Sequence, residues 1–236
     1  MCPHIKHNFI WLLIGFSVKL HVLLAGHLWR QRDDSADAGV GHGGARPEPQ
    51  GHGAGNGEVR HAFVSYGSLR EEKLVEAGLQ YLPHVIQETL RLHTPLPFLI
   101  PQVCQEPCRV LGYDVPQGIT VMVNAWALGR DEQYWPGDPD AFRPERFEAG
   151  GGGGDALDFR GADLELLPFG SGRRMCPGMG FALANMELAL ASLLFHFDWE
   201  VPGGAELDMT EAFGLTAHRK SRLLLRPILR VPVPGV

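Results

Sequence analysis

A chain of 236 residues, 44% hydrophobic and 20% charged, can bury a real core and holds one large domain or two small ones. Its formal net charge of -6 argues against a nucleic-acid partner, because phosphate binding needs a concentrated basic face and none is present. Its cysteines, Cys2, Cys104, Cys108 and Cys176, lack the spacing of a disulfide framework and suit a reducing compartment, with the cytosolic side favoured.

The chain opens on an apolar stretch, Phe9 to Trp29, long enough as a helix to cross a hydrocarbon core of roughly 30 Å. Lys19 near its middle costs about 2.5–3.5 kcal/mol and offsets most of what the apolar residues contribute. Arg30 and Arg32 follow at once, so an inserted helix would leave the remainder in the cytoplasm. We read residues 1–32 as a membrane anchor, against an interfacial helix or an unnatural start to the chain. Residues 33–57 are rich in Gly, His, Pro and Ala and read as a flexible linker. His42 and His52 within it could bind metal loosely, and a solvated segment is the simpler account.

From Glu58 the composition becomes that of a folded domain. Glu58 to Gly78 has helical spacing, and Pro83 opens a further helix that Thr94 closes before Pro95. Glu88 and Arg91 stand three apart on one face of that helix, where a carboxylate and a guanidinium can pair. Taken alone this is an ordinary surface ion pair. Pro95 to Val103 and Cys108 to Asn124 read as short strands. Gly112, Asp114, Pro116 and Gly118 punctuate the second into a hairpin with Ile119 to Val123 as its return strand. Cys104 and Cys108, in CQEPC, form half of a zinc set with no second pair at ligand spacing. Asn124 to Asp131 suggests a short helix, and Asp138 to Phe147 with the glycine run from Gly150 to Gly154 suggests a long irregular loop.

That loop approaches Leu166 to Phe197, the stretch around which the chain is organised. Pro177 and Gly178 follow Cys176 and open an apolar helix, Met179 to Phe197, with proline placed where a first turn tolerates a missing N–H. Unpaired amides at that helix start favour negative charge on the sulfur, as a metal ligand requires. Gly170 and Gly172 let the backbone pass close by, Phe169 can cover the sulfur, and Arg174 adds a fixed positive charge. A buried structural cysteine is the plain alternative. Farther on, Met209 to Val231 reads as a turn region followed by a strand pair.

Phe169, Gly172, Arg174, Cys176 and Gly178 meet the pattern F-x-x-G-x-R-x-C-x-G and resemble the haem-binding loop of the cytochrome P-450 family. Five fixed residues at that spacing arise by chance on the order of once in several thousand sequences. The wording RLHTPLPFLIP, NAWALGRD, PERF and FGSGRRMCPG is most similar to plant microsomal members, and the resemblance runs from Glu58 to Val236 in unbroken order. It implies a mainly helical α+β fold with a small antiparallel sheet, the C-terminal half of the family's architecture, over residues 58–236. It implies haem b held by Cys176 as axial ligand, a charge-paired lock of Glu88, Arg91 and Arg146, and a substrate site lined by Leu96, Phe98, Leu99, Phe213 and Leu215. As bare residues those five read as core. It further implies a monooxygenase at the endoplasmic reticulum membrane that inserts one oxygen atom from O2 into a small hydrophobic metabolite. NADPH would supply the electrons through a flavoprotein reductase docked near Arg173. A family chain is about twice as long, and its other half carries the distal residues that deliver protons to bound oxygen. No A-G-x-[DE]-T-T stretch occurs here, and Gln102 stands where the family often has a propionate-binding arginine. The alternatives are a non-catalytic haem-binding remnant and a haem-thiolate isomerase.

Overall fold

A computed structural model describes residues 54–63, 71–148, 159, 163–204 and 207–233. The expected anchor and nearly all of the expected linker lie outside these residues. Helix α1, Ala54–Phe63, begins inside the last residues assigned to that linker.

Helix α2, Glu71–Ala77, ends at Gly78, whose φ of 59° gives the left-handed turn that stops a helix. Helix α3, Tyr81–Leu92, starts two residues earlier than Pro83, so the proline sits within its first turn. The cap comes from another helix. Glu58 of α1 accepts the N–H groups of Gln80, Tyr81 and Leu82, the last two at 2.9 and 3.1 Å. One carboxylate thus satisfies three donors at a helix start.

Helix α4, Ala125–Leu128, is the short helix expected at NAWALGRD, with the Asn124 side chain accepting the Ala127 N–H at 3.0 Å. Helix α5, Met179–His196, follows the cysteine. Gly178 is its N-cap, so Pro177 precedes the cap instead of occupying the first turn. The helix buries Ala182, Met186, Leu190, Ala191, Leu194 and Phe195, a stripe at three- and four-residue spacing. That stripe packs on α1 and α3, where Val59, Phe63, Leu82, Val85, Ile86 and Leu90 complete the main core. Among the described residues α5 is the helix long and apolar enough to cross a membrane.

The strands form four separate antiparallel pairs instead of one small sheet. Strand β1, Gln102–Val103, pairs with β4, Thr120–Val121. Strand β2, Cys108–Val110, pairs with β3, Tyr113–Val115. The turn residues of the sequence predict the return strand of that hairpin at Ile119 to Val123. The structure turns earlier, because Leu111 and Gly112 both take positive φ, 49° and 88°, the two-residue geometry that suits strand twist. Strand β5, Phe197–Glu200, pairs with β8, Arg226–Leu229, and β6, Glu211–Phe213, pairs with β7, Ala217–Arg219. Arg60 of α1 bonds the Phe197 carbonyl at 3.0 Å and Asp198 at 2.6 Å, fastening β5 to the helical core.

Candidate functional site

Two side-chain networks, one buried and one half-buried, tie together segments around the cysteine loop. The first centres on Glu88, whose side chain is 0% exposed. Arg91 grips it through two N–H···O contacts of 2.6 and 2.8 Å, from Nε to Oε2 and from Nη2 to Oε1. Arg146 comes from the 3-10 turn Pro144–Phe147 and reaches Oε1 at 3.1 Å. The Arg143 amide donates to the same oxygen at 2.7 Å. Two guanidiniums thus share one carboxylate, a net positive cluster inside a core. Carbonyls absorb the excess: Arg91 donates to Gly129, Pro139 and Ala141, and Arg146 to Asp138 and Ala141. The Trp135 ring lies 5.0 Å from the Arg91 guanidinium carbon and adds a cation–π contact. Burial lowers the Arg146 pKa, Glu88 raises it, and the neighbouring Arg91 lowers it. Gly129 lets the backbones approach here, since a Cβ on it would stand 2.4 Å from the Arg91 carbonyl oxygen.

The second arrangement was not foreseen from sequence. Glu211 on β6 receives Trp126 Nε1 at 2.9 Å and faces His93 Nδ1 at 2.8 Å, with Arg130 Nη2 at 3.8 Å. Arg130 also stacks on the Trp126 ring at 4.2 Å and pairs with Asp140 at 3.2 Å. Burial would raise the Glu211 pKa, yet the hydrogen bonds from His93 and Trp126 and the nearby positive charge outweigh it and hold the carboxyl low. The network ties the β6–β7 hairpin to the ends of α3 and α4. No local pattern announces it, because Glu211 and His93 are 118 residues apart.

Backbone bonds beside that tie join the segments that carry the five residues expected to line a substrate site. The Ala217 N–H donates to the Pro95 carbonyl at 2.9 Å, and Trp126 N–H to the Pro97 carbonyl at 3.2 Å. Phe213 meets the Trp126 ring edge-on at 6.1 Å. Phe98, Phe213 and Leu215 are 52%, 60% and 60% exposed, and Leu96 and Leu99 are half-buried. Their reading as ordinary core is therefore corrected: they border a surface.

The cysteine loop runs from the buried Leu166, Leu167 and Phe169 to α5. Phe169 packs edge-on against Phe159 at 5.7 Å, and its carbonyl accepts the Cys176 N–H at 2.9 Å. The bond closes a ring of backbone between ring and thiol. Inside it, Gly170 and Gly172 hold φ of 73° and 68°, conformations that other residues resist. Among the described residues a Cβ at either glycine would meet nothing within 4 Å, so the loop borders open space there. A 3-10 turn, Gly172–Arg174, presents Arg173 and Arg174 to solvent, and Arg174 has no ion-pair partner among the described residues. Cys176 is a free, half-buried thiol that leads through Gly178 into the amides of α5. Gln102 is half-buried on β1 and donates to the Ile100 carbonyl at 3.1 Å. A soft thiol beside a helix start, an open loop face and an exposed guanidinium fit a flat iron macrocycle that carries acidic groups.

The family described as Cytochrome P450 matches residues 70–226. Dolabradiene monooxygenase of Zea mays is 51% identical over 176 residues, 73% of this chain and 34% of its own length. Ent-cassadiene hydroxylase of Oryza sativa subsp. japonica is 49% identical over 177 residues, 74% of this chain and 33% of its own. Premnaspirodiene oxygenase of Hyoscyamus muticus is 52% identical over 171 residues, 71% of this chain and 32% of its own. The chain thus spans about a third of the length of the curated relatives it matches. On the family match and these identities, the chain belongs to the cytochrome P450 family, whose members carry a haem iron.

Proposed function

We propose that this chain carries the haem-thiolate site of a plant-type monooxygenase that transfers one oxygen atom from O2 to a small hydrophobic metabolite. The observation that carries the reading is the Cys176 loop: a half-buried thiol, tied through its amide to Phe169, at the start of a long core helix. Haem b is the form proposed. Cys176 would hold its iron, Phe169, Gly172 and Gly178 shape the loop, and Arg174 supplies positive charge toward the haem carboxylates. When bound, a thiolate-ligated haem favours O–O cleavage and supplies oxygen-transfer chemistry.

The remaining roles fall to the chain's own residues. The lock of Glu88, Arg91 and Arg146 holds the segment that leads toward the cysteine loop against α3. Leu96, Phe98, Leu99, Phe213 and Leu215 offer the apolar surface a hydrocarbon-like substrate requires, and the relatives named for dolabradiene, ent-cassadiene and premnaspirodiene support that class. Arg173 is exposed and suits docking of a flavoprotein reductase that draws electrons from NADPH. The cytosolic face of the endoplasmic reticulum membrane is the location proposed.

The test is spectroscopic. The full chain, reconstituted with haem, reduced and exposed to carbon monoxide, should show a strongly red-shifted Soret band that Cys176→Ser abolishes. Turnover with reductase and NADPH then separates oxygenation from haem binding alone.

A further inference from the structure

Cys104 and Cys108 lie in the short connection between β1 and β2. Their sulfurs are 3.7 Å apart. Cys108 is exposed and Cys104 half-buried. Both ends of the connection are fastened. The Cys104 N–H donates to the Ile119 carbonyl at 2.8 Å, and the Gly118 N–H donates back to the Cys104 carbonyl at 2.9 Å. Cys108 opens β2 opposite Val115, and Pro107 fixes the backbone immediately before it. The two thiols thus face one another across a loop whose ends are tied, and the Cys104 thiol also donates to the Glu106 carbonyl at 2.9 Å. Among the described residues no group of three His, Cys, Asp or Glu side chains could hold a metal ion, so thiol chemistry is what this pair can offer.

We propose that Cys104 and Cys108 form a reversible intramolecular disulfide, closed by a low-molecular-weight disulfide such as oxidised glutathione. In the first exchange the exposed Cys108 thiolate attacks oxidised glutathione, breaks its S–S bond and releases one glutathione. The Cys104 thiolate then attacks the Cys108 sulfur and expels the second. One protein disulfide forms, the two protein thiols lose two electrons and two protons, and one oxidised glutathione becomes two reduced molecules. A disulfide needs sulfurs at about 2.0 Å, so the two sulfurs must approach further for the bond to form. The hydrogen bond shared with Cys104 pushes the Cys108 thiol up from its ordinary value, so exchange quickens as pH rises. The product staples the β1–β4 pair to the β2–β3 pair. In a reducing compartment such a bond is transient and tracks the thiol poise.

The pair is independent of the haem reading. The full chain, treated with oxidised glutathione, alkylated and digested with trypsin, yields one peptide, Leu92 to Arg109, that contains both cysteines. The expected peptide is lighter than the reduced form by two hydrogen atoms, carries neither alkyl group nor glutathione, and reverts with dithiothreitol. Cys104→Ser should instead hold a glutathione adduct on Cys108 that outlives the wild-type adduct roughly tenfold or more. A wild-type adduct as persistent as that of the variant, two alkylated thiols after treatment, or a bridge to Cys176 would each overturn the proposal.

Discussion

Replacing Glu88 by Gln keeps the shape of the side chain and removes its charge. In the native structure this carboxylate, 0% exposed, answers two guanidiniums and one backbone amide, with contacts of 2.6, 2.8, 3.1 and 2.7 Å. A charge-assisted hydrogen bond contributes about 1.5–3 kcal/mol. Four such contacts on one group do not add independently, and breaking a buried pair by removing one partner costs about 3–5 kcal/mol. Gln retains one acceptor oxygen, and the carbonyls of Gly129, Pro139 and Ala141 still receive Arg91, so the lower end, about 3 kcal/mol, is expected. Against a typical total of about 5–15 kcal/mol this is a large loss. For a chain of this size it lowers the melting temperature by about 6–12 °C. Urea denaturation followed by circular dichroism measures it directly, with Glu88→Asp as a variant that keeps the charge. A Glu88→Gln chain within about 1 kcal/mol of the parent would refute the reasoning, since two buried arginines would then have lost their counter-charge without consequence.

Gly129→Ala places a Cβ about where the Arg91 carbonyl oxygen already stands, at 2.4 Å, so the two backbones must part; we expect a loss of about 1–3 kcal/mol, and unchanged thermal stability would contradict the close approach. Asp198 and Glu211 are partly buried carboxyls held below their ordinary range. Burial pushes Asp198 up and its hydrogen bonds from Arg60 and Arg230 outweigh that effect, while His93, Trp126 and Arg130 do the same for Glu211. Because both folded values are depressed, their contribution is present at neutral pH. It is lost as pH falls below the unfolded carboxylate range, about 4, and through the lower folded values. A pH series of melting temperatures should fall in that acid window and fall less steeply in Glu211→Gln; parallel curves for the parent and the variant would count against the network.

Legibility in the sequence followed the range of the forces involved. The long helices were readable because periodic apolar residues face one core, as Leu82, Val85, Ile86 and Leu90 do on α3 and Met186, Leu190 and Leu194 do on α5. Asn124 announced α4 because its side chain caps locally. Glu88 and Arg91 were visible as an i,i+3 pair, whereas their burial depends on Arg146, 58 residues away, and on backbone carbonyls that no residue type advertises. The hairpin was misplaced because its turn puts Leu111, a residue that rarely takes positive φ, beside Gly112. The apolar residues at Phe98, Phe213 and Leu215 were indistinguishable from core by composition. Phe213 and Leu215 are exposed on the β6–β7 hairpin that Glu211 pins.

The central claim rests on Cys176 as an iron ligand, and the reduced, carbon monoxide-bound spectrum of the haem-reconstituted full chain tests it most directly. The account predicts a strongly red-shifted Soret band in the parent and its loss in Cys176→Ser with the fold retained. An unshifted band in the parent, or the same band in both proteins, would contradict it.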